Sequence, residues 1–197
     1  QRIDENWYKG TADAIYQNIY SLERDRSQEM LILAGDHIYK MDYGHMIQAH
    51  LDRKADLTVG CIPIPVEESD QFGIMDIDST ERVVAFKEKP KTTPGLPDDP
   101  THALGSMGIY IFSTRMLFEL LCEDAAKSES GHDFGKDIIP SMIASGHRVY
   151  AYPFRDENRK ATAYWRDVGT LDAYYQANMD LVAMDPVLNL YDEHWPI

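Results

Sequence analysis

Cysteine is scarce in this sequence, and long apolar runs are missing. The 197 residues include two cysteines, Cys61 and Cys122, and neither lies in a CxxC pair or in a Cys/His metal spacing. This argues against a disulfide scaffold and against a cysteine zinc site. We expect two reduced thiols in or near the core, as is typical of a reducing cytoplasm. No apolar run approaches the roughly 18 residues of a transmembrane helix, so the sequence predicts no membrane partner.

Positive charge is scarce as well. The chain has 19 Lys and Arg residues against 33 Asp and Glu residues, which gives a formal net charge of −14. Proteins that bind nucleic acid take much of their affinity from Lys and Arg contacts to phosphates, so the charge argues against a nucleic-acid partner. The remaining composition, 44% hydrophobic and 26% charged, is typical of one globular domain.

Several catalytic and phosphate-binding motifs are also missing. No two of the 12 glycines are separated by a single residue, so the chain has no GxG phosphate loop. The segment from Gly131 to Asp137 only superficially resembles a P-loop, since three residues separate its glycines and an aspartate follows the lysine. Neither HExxH nor GxSxG occurs, so the zinc and serine hydrolase mechanisms that depend on them lose support.

Apolar runs alternate with segments of helical spacing along the chain. Strands are predicted at 30–34, 57–62, 107–112 and 149–154, with a hairpin over 72–89. Helices are predicted after Gly10, from about Asp42, over 116–121, over 136–144 and after Thr170, which is a candidate N-cap. This alternation is typical of an α/β fold with a mostly parallel sheet covered on both faces.

Two aspartates are candidate ligands of a metal ion. Asp36 follows the apolar run MLILA and Gly35, and ligands of open α/β sheets bind beyond the carboxyl ends of strands. Asp167 stands three residues before the helix start at Thr170. Two carboxylates brought together suit Mg²⁺. The alternatives stay open: Asp36 is equally suited to opening a turn, and Asp167 to pairing with Arg166 or a local backbone amide.

A group of lysines runs against the overall charge. Lys87, Lys89 and Lys91 alternate within 86–91, and in a strand Lys87 and Lys89 would share one face while Glu88 points to the other. A solvated edge strand is one explanation. The functional alternative is a lysine that binds a phosphate while a nearby carboxylate accepts hydrogen bonds from sugar hydroxyls.

Six motifs occur in a characteristic order. They are WYKGTADA at 7–14, LAGDHIYK at 33–40, FKEKP at 86–90, SMGIY at 106–110, HDFGKD at 132–137 and YWRDVGT at 164–170. Together they resemble the ADP-glucose pyrophosphorylase (glucose-1-phosphate adenylyltransferase) family, and its bacterial members more than its plant ones. The ending YDEHWPI at 191–197 is similar to the exit from that family's catalytic domain.

The resemblance implies a Rossmann-like nucleotidyltransferase α/β/α sandwich. It also implies adenylyl transfer from ATP to glucose 1-phosphate with Mg²⁺, giving ADP-glucose and pyrophosphate for glycogen synthesis. The catalytic residues would be Asp36 and Lys89, and the metal ligands Asp36 and Asp167. The residues carried over to glucose 1-phosphate are Tyr8, Gly73, Glu88, Lys89 and Ser106, and those carried over to the nucleotide are Gly10, Thr11, Asp13 and Gly35.

Two parts of that family's pattern do not occur in this sequence. The chain begins at Gln1 and not at Met, and we expect residues 1–197 to be most of one catalytic domain. The family's Gly-rich triphosphate loop would precede it, and the β-helix that helps assemble an allosteric homotetramer would follow. The 197 residues alone are therefore expected to be inactive or nearly so. Two alternatives remain open: a pyrophosphorylase that uses UTP or dTTP, and a non-catalytic regulatory subunit that binds a sugar phosphate.

Overall fold

The computed structural model describes residues 7–156 and 163–191. Of the ending at 191–197, only Tyr191 lies within the described residues. The strands are β1 (Glu29–Ile32), β2 (His37–Tyr39), β3 (Leu57–Pro65), β4 (Gly73–Ile77), β5 (Val83–Glu88), β6 (His102–Ser113), β7 (Val149–Pro153) and β8 (Trp165–Asp167). The α-helices are α1 (Thr11–Tyr16), α2 (Ile19–Leu22), α3 (Tyr43–Asp52), α4 (Thr114–Ala125), α5 (Ile139–Ala144) and α6 (Leu171–Leu181).

Each predicted strand and helix has a counterpart, and the local signals explain several boundaries. The Asp42 side chain accepts a hydrogen bond from the Gly44 amide at 2.8 Å and caps α3. Thr170 Oγ1 accepts one from the Ala173 amide at 3.2 Å, which confirms it as the N-cap of α6. The short strands β2 and β8 were not predicted.

The main sheet has the order β5-β4-β6-β3-β7, and β1 also pairs with β6. Strand β6 runs antiparallel to β1, β3 and β4, whereas β3 and β7 pair in parallel. The α/β class is confirmed, but the sheet is mixed and not mostly parallel. The reason is that the apolar run of β6 specifies burial on both faces, and burial carries no information about strand direction.

Helices cover both faces of this sheet. Alternate residues of β6 point to opposite sides, and they enter two different clusters of buried side chains. Phe112 lies with Leu117 and Leu121 of α4, while Ile111 lies with Met46 of α3. The layers are therefore helix, sheet, helix. No helix in the described ranges is long and apolar enough to cross a membrane.

The two cysteines differ in their surroundings. Cys61 is buried in β3, and burial raises the pKa of its thiol to about 12. Cys122 is exposed on α4, so the expectation that both thiols lie in or near the core is wrong for this residue. The preceding residue, Leu121, is buried on the apolar face of the helix. The next position along a helix points away from that face.

The edge of β6 that faces β1 and β4 is shared by two partners. Residues 110–113 pair with β1, and residues 104–105 pair with β4. The register with β3 on the other side shifts between Val59 and Cys61, opposite Gly108, whose φ of +68° favours glycine. Of the residues between the two partners, Ser106, Met107 and Gly108 line the main cavity.

Candidate functional site

A cavity of about 560 Å³ opens where β1 and β4 separate along β6. Of the residues predicted to bind a ligand, those that line this cavity are Thr11, Asp36, Gly73, Glu88, Lys89, Ser106 and Asp167. Those outside its lining are Tyr8, Gly10, Asp13 and Gly35. The fold therefore brings together both metal candidates and most of the sugar-phosphate candidates, from segments far apart in the sequence.

Asp36 and Asp167 meet because β2 and β8 pair in an antiparallel ribbon. The register sets His37 opposite Asp167, and the Val168 amide donates to the Asp36 carbonyl at 3.0 Å. One ligand atom from each of Asp36, His37 and Asp167 lies within 4.8 Å of the others. Each strand is three residues long, which is too short for a periodic signal in the sequence.

The space beside these carboxylates depends on a glycine. A Cβ atom on Gly169 would lie 3.1 Å from Asp167 Oδ1 and 3.5 Å from Asp36 Oδ2. The Gly169 amide donates to Asp167 Oδ1 at 2.8 Å, so the local backbone interaction considered for Asp167 does occur. Arg166, by contrast, pairs with Asp180 at 3.2 Å. A backbone amide on one oxygen leaves the second oxygen of Asp167 for a cation.

The donor set fits Mg²⁺. Two carboxylates stand together at the opening of the cavity, and the Asp36 side chain is 58% exposed, which leaves room for the waters and phosphate oxygens that complete magnesium coordination. His37 Nε2 lies 3.8 Å from Asp36 Oδ1. The His37 ring packs edge-on against Trp165 with centroids 4.9 Å apart. This packing fixes the ribbon that carries both aspartates.

Glu88 and Lys89 reach the cavity together because the strand ends between them. Strand β5 finishes at Glu88, and Lys89 has a φ of +47°. Its amide donates to the Phe72 carbonyl at 2.9 Å. The expectation that Lys87 and Lys89 share a face, with Glu88 opposite, is therefore wrong, since the left-handed residue leaves the pleat. Lys89 and Glu88 line the cavity, and Lys87 does not.

The Glu88 carboxylate is held against two glycines. A Cβ atom would lie 2.9 Å from Glu88 Oε2 at Gly73 and 2.3 Å from it at Gly135. Burial raises the pKa of Glu88, and the negative charge of Asp133 adds to the effect, while Lys89 and Lys136 oppose it. The result is a half-buried hydrogen-bond acceptor in a fixed place, which suits recognition of hydroxyl groups.

Ser106 lies where the register between β6 and β3 shifts, opposite Cys61. Its Oγ accepts a hydrogen bond from the Gly108 amide at 3.3 Å. Tyr110 lines the cavity beside it, and burial raises the pKa of this phenol to about 12, although a hydrogen bond with Ser106 opposes the rise. At neutral pH the pair therefore offers two neutral hydroxyls, each able to donate or accept.

Sequence reasoning left out several polar and aromatic residues of the cavity. These are His37, Tyr110, Asp133, Phe134 and Trp165. All of them fall inside the motifs quoted above, so membership of a motif was a usable signal. The spacing of residues gave no sign of their contacts.

The candidates for nucleotide binding have different surroundings. Thr11 Oγ1 donates to Asp133 Oδ2 and accepts from the Phe134 amide, both at 3.1 Å. Asp13 Oδ2 accepts from the Lys9 amide at 2.8 Å and from Gln17 Nε2 at 2.9 Å, within its own helix region. Thr11 is thus tied to the cavity wall, whereas the contacts of Asp13 are local.

Gly10, Tyr8 and Gly35 complete the set of predicted residues. A Cβ atom on Gly10 would lie 2.3 Å from the His132 carbonyl oxygen, so glycine permits a close backbone approach there. The Tyr8 hydroxyl accepts a 3.3 Å hydrogen bond from Asn18 Nδ2. A Cβ atom on Gly35 would meet nothing within 4 Å. Ligand binding by these residues stays a prediction.

Comparison with known proteins gives one family match and several similar proteins. A family model described as nucleotidyl transferase matches residues 2–183. A glucose-1-phosphate adenylyltransferase of Rhodopirellula baltica is 58% identical over 197 residues, which are the whole of this chain and 44% of the relative. One of Methylococcus capsulatus is 53% identical over the whole chain and 46% of the relative.

The chain thus spans less than half the length of these curated relatives. The family model, however, covers nearly all of the chain, including both aspartates, Glu88 and Lys89. On that match, the chain belongs to the nucleotidyl transferase family.

Proposed function

We propose that this chain is the catalytic part of an enzyme that transfers the adenylyl group of ATP to glucose 1-phosphate and releases pyrophosphate. One observation carries the proposal: a single cavity contains a lysine and a half-buried carboxylate on one wall, Lys89 and Glu88, and a pair of aspartates on another. The names of the relatives, glucose-1-phosphate adenylyltransferase, support the choice of both substrates.

The sugar phosphate is assigned to the wall formed by β5 and β6. Lys89 supplies a point cation for the phosphate. Glu88 accepts hydrogen bonds from sugar hydroxyls, and the hydroxyl of Ser106 is placed to add another. A phosphate monoester is already a nucleophilic anion, so the chain needs no general base. Its task is to hold the attacking oxygen in line with the α-phosphorus of ATP.

The metal is assigned to Asp36 and Asp167. When bound there, Mg²⁺ supplies positive charge that neutralises the phosphates of the nucleotide and the departing pyrophosphate. The chain carries a net charge of −14, so anionic substrates need such local compensation. Asp36 and Asp167 hold the cation, the β2–β8 ribbon fixes the distance between them, and Lys89 neutralises charge on the sugar side.

The wider biological setting is part of the same proposal. The product would be ADP-glucose for glycogen synthesis, made in the cytoplasm by a homotetramer under allosteric control. These features come from the resemblance to the family.

A chimera offers the sharpest test of activity. In it, the chain replaces the matching 197 residues of the Rhodopirellula baltica relative, which supplies the remainder of that protein. We expect ADP-glucose and pyrophosphate from ATP, glucose 1-phosphate and Mg²⁺, and loss of both when EDTA removes the metal.

Two outcomes of this assay would contradict the proposal. Faster turnover with UTP or dTTP would identify a different pyrophosphorylase. Binding of glucose 1-phosphate without turnover, while the unmodified relative is active, would indicate a regulatory subunit. A separate assay of the isolated 197 residues tests another expectation: full ADP-glucose synthesis would contradict only the prediction that they are inactive alone.

A further inference from the structure

A buried, hydrogen-bonded aspartate–histidine pair lies behind the cavity and has no part in the proposed chemistry. Asp124, near the end of α4, is 4% exposed, and His132 is 8% exposed. The carboxylate receives hydrogen bonds on both oxygens: Ser130 Oγ donates to Oδ1 at 2.6 Å, and His132 Nδ1 lies 2.7 Å from Oδ2. The Ser130 hydroxyl also accepts from the His132 amide at 3.0 Å. A polar cluster this completely satisfied fixes the loop that carries it.

The loop is fixed in an unusual conformation. His132 has a φ of +54°, which is uncommon for a residue with a Cβ atom. Such a conformation persists when surrounding contacts determine it. Here they turn the His132 carbonyl toward α1, where it accepts hydrogen bonds from the amides of Ala12 at 2.9 Å and Asp13 at 3.2 Å.

The same loop continues into the cavity wall. Asp133 is bonded to Thr11 Oγ1 at 3.1 Å, and its other oxygen accepts from the Gly135 amide at 2.9 Å. Gly135 in turn lies directly against the Glu88 carboxylate. An unbroken series of contacts therefore runs from the buried pair, through the start of α1, to the residue assigned to the sugar hydroxyls.

We infer that Asp124 and His132 are positioning residues for the sugar-phosphate side of the cavity. They hold the His132 carbonyl on the first amides of α1 and thereby set Thr11, Asp133 and Gly135 against Glu88. This inference rests on the proposed function for the identity of the ligand. The placement of the cavity wall does not depend on the proposed function and can be measured in the chain without ligand.

The test uses the 22.5 kDa chain labelled with ¹⁵N. Hydrogen exchange of the Ala12 and Asp13 amides and the chemical shift of Gly135 measure whether the cavity wall keeps its position. Calorimetric titration with glucose 1-phosphate measures the Kd of the site. We expect Asp124→Ala to speed exchange of both amides and raise the Kd about tenfold or more, because hydrogen bonds to a charged group are lost. Asp124→Asn should stay within about threefold of the unmodified chain, since an amide offers both histidine and serine a partner.

His50→Ala is the matched control. His50 is also buried and bonded to a carboxylate, with Nε2 3.1 Å from Glu29 Oε2 and Nδ1 2.8 Å from Thr58 Oγ1. None of these three residues lines the cavity. We expect this variant to lose stability while keeping the Kd of the unmodified chain.

Two results would overturn the inference. One is an unchanged Kd in Asp124→Ala although its amides exchange faster; the other is an equal rise of the Kd in His50→Ala, which would make the effect one of general stability. If the unmodified chain does not bind glucose 1-phosphate, the same titration of the chimera decides whether the proposed function fails. The exchange rates and the Gly135 resonance would still decide whether the pair holds the wall.

Discussion

Replacing Gly135 by alanine is expected to weaken glucose 1-phosphate binding without unfolding the protein. The new Cβ atom would lie 2.3 Å from Glu88 Oε2 and 2.9 Å from its Cδ, whereas an ordinary contact begins at about 3.4 Å. The carboxylate oxygen therefore has to withdraw by about 1.1 Å. Because it is the end of a side chain and not backbone, it can rotate away without disturbing the fold.

The size of the effect follows from the hydrogen bonds assigned to Glu88. A hydrogen bond to a charged group contributes about 1.5–3 kcal/mol, and about 1.4 kcal/mol corresponds to a tenfold change in an equilibrium constant. Loss of one such bond raises the Kd roughly 10- to 100-fold. The free energy of unfolding should change by less than about 1 kcal/mol, as for substitutions that neither open a cavity nor bury an unpaired charge.

Calorimetric titration with glucose 1-phosphate and urea unfolding measure the two quantities. Gly44→Ala is the matched control, because its Cβ atom would also meet a carboxylate oxygen, Asp42 Oδ1 at 3.0 Å, but outside the cavity. An unchanged Kd for a folded Gly135→Ala variant would refute the argument that the position of Glu88 determines affinity. An equal loss of affinity in Gly44→Ala would refute its local character.

Three further predictions concern charge. In the chimera, Asp36→Asn should lose most of kcat with a modest change in affinity, whereas Lys89→Ala should chiefly raise the KM for glucose 1-phosphate; equal effects on both parameters in both variants would contradict this division of roles. The pKa of Glu88 is raised from 4.5 by burial and by Asp133, so the protein should lose stability as the pH rises above 4.5 and through the raised pKa. In urea unfolding, the free energy of unfolding should vary less with pH for Glu88→Gln than for the unmodified protein. Burial alone would raise the pKa of Asp56, but hydrogen bonds from Arg148 lower it below 3.8. Asp56→Asn should therefore lose about 1 kcal/mol of stability above pH 3.8, because the partner is half exposed, and this loss should disappear as the pH falls through the lowered pKa. A loss of stability that does not depend on pH would contradict the assignment.

The sequence predicts the elements of this fold better than their arrangement. Apolar runs and helical spacing are local patterns that can be read directly from a sequence. The apolar runs therefore predicted the positions of β3, β6 and β7, and Thr170 predicted the start of α6. Strand direction depends on which strands pair, and nothing in the run at 107–112 encodes that it lies antiparallel between β1 and β3. The mixed sheet therefore differs from the mostly parallel one that alternation favours.

The candidate site shows the same division. Asp36 was found because a carboxylate after a buried strand is a local signal. Its partnership with Asp167 depends on the pairing of β2 with β8, and a strand of only three residues leaves no periodic pattern. The turn at Lys89 was not predicted, because a single residue in the left-handed region, with φ +47°, ends the alternation of side chains between the two faces of the strand.

The divided edge of β6 bears on how a ligand affects the protein as a whole. Residues 106–109 have no ladder partner on that edge within the part of the chain that the structure describes, and the cavity opens beside them. Under the proposed function, a sugar phosphate bound in this cavity would contact the part of the β6 edge that has no strand partner. Its concentration then enters the folding equilibrium directly, since a ligand that binds only the folded state adds its binding free energy to stability. If the proposed function holds, saturating glucose 1-phosphate would therefore make the protein harder to unfold.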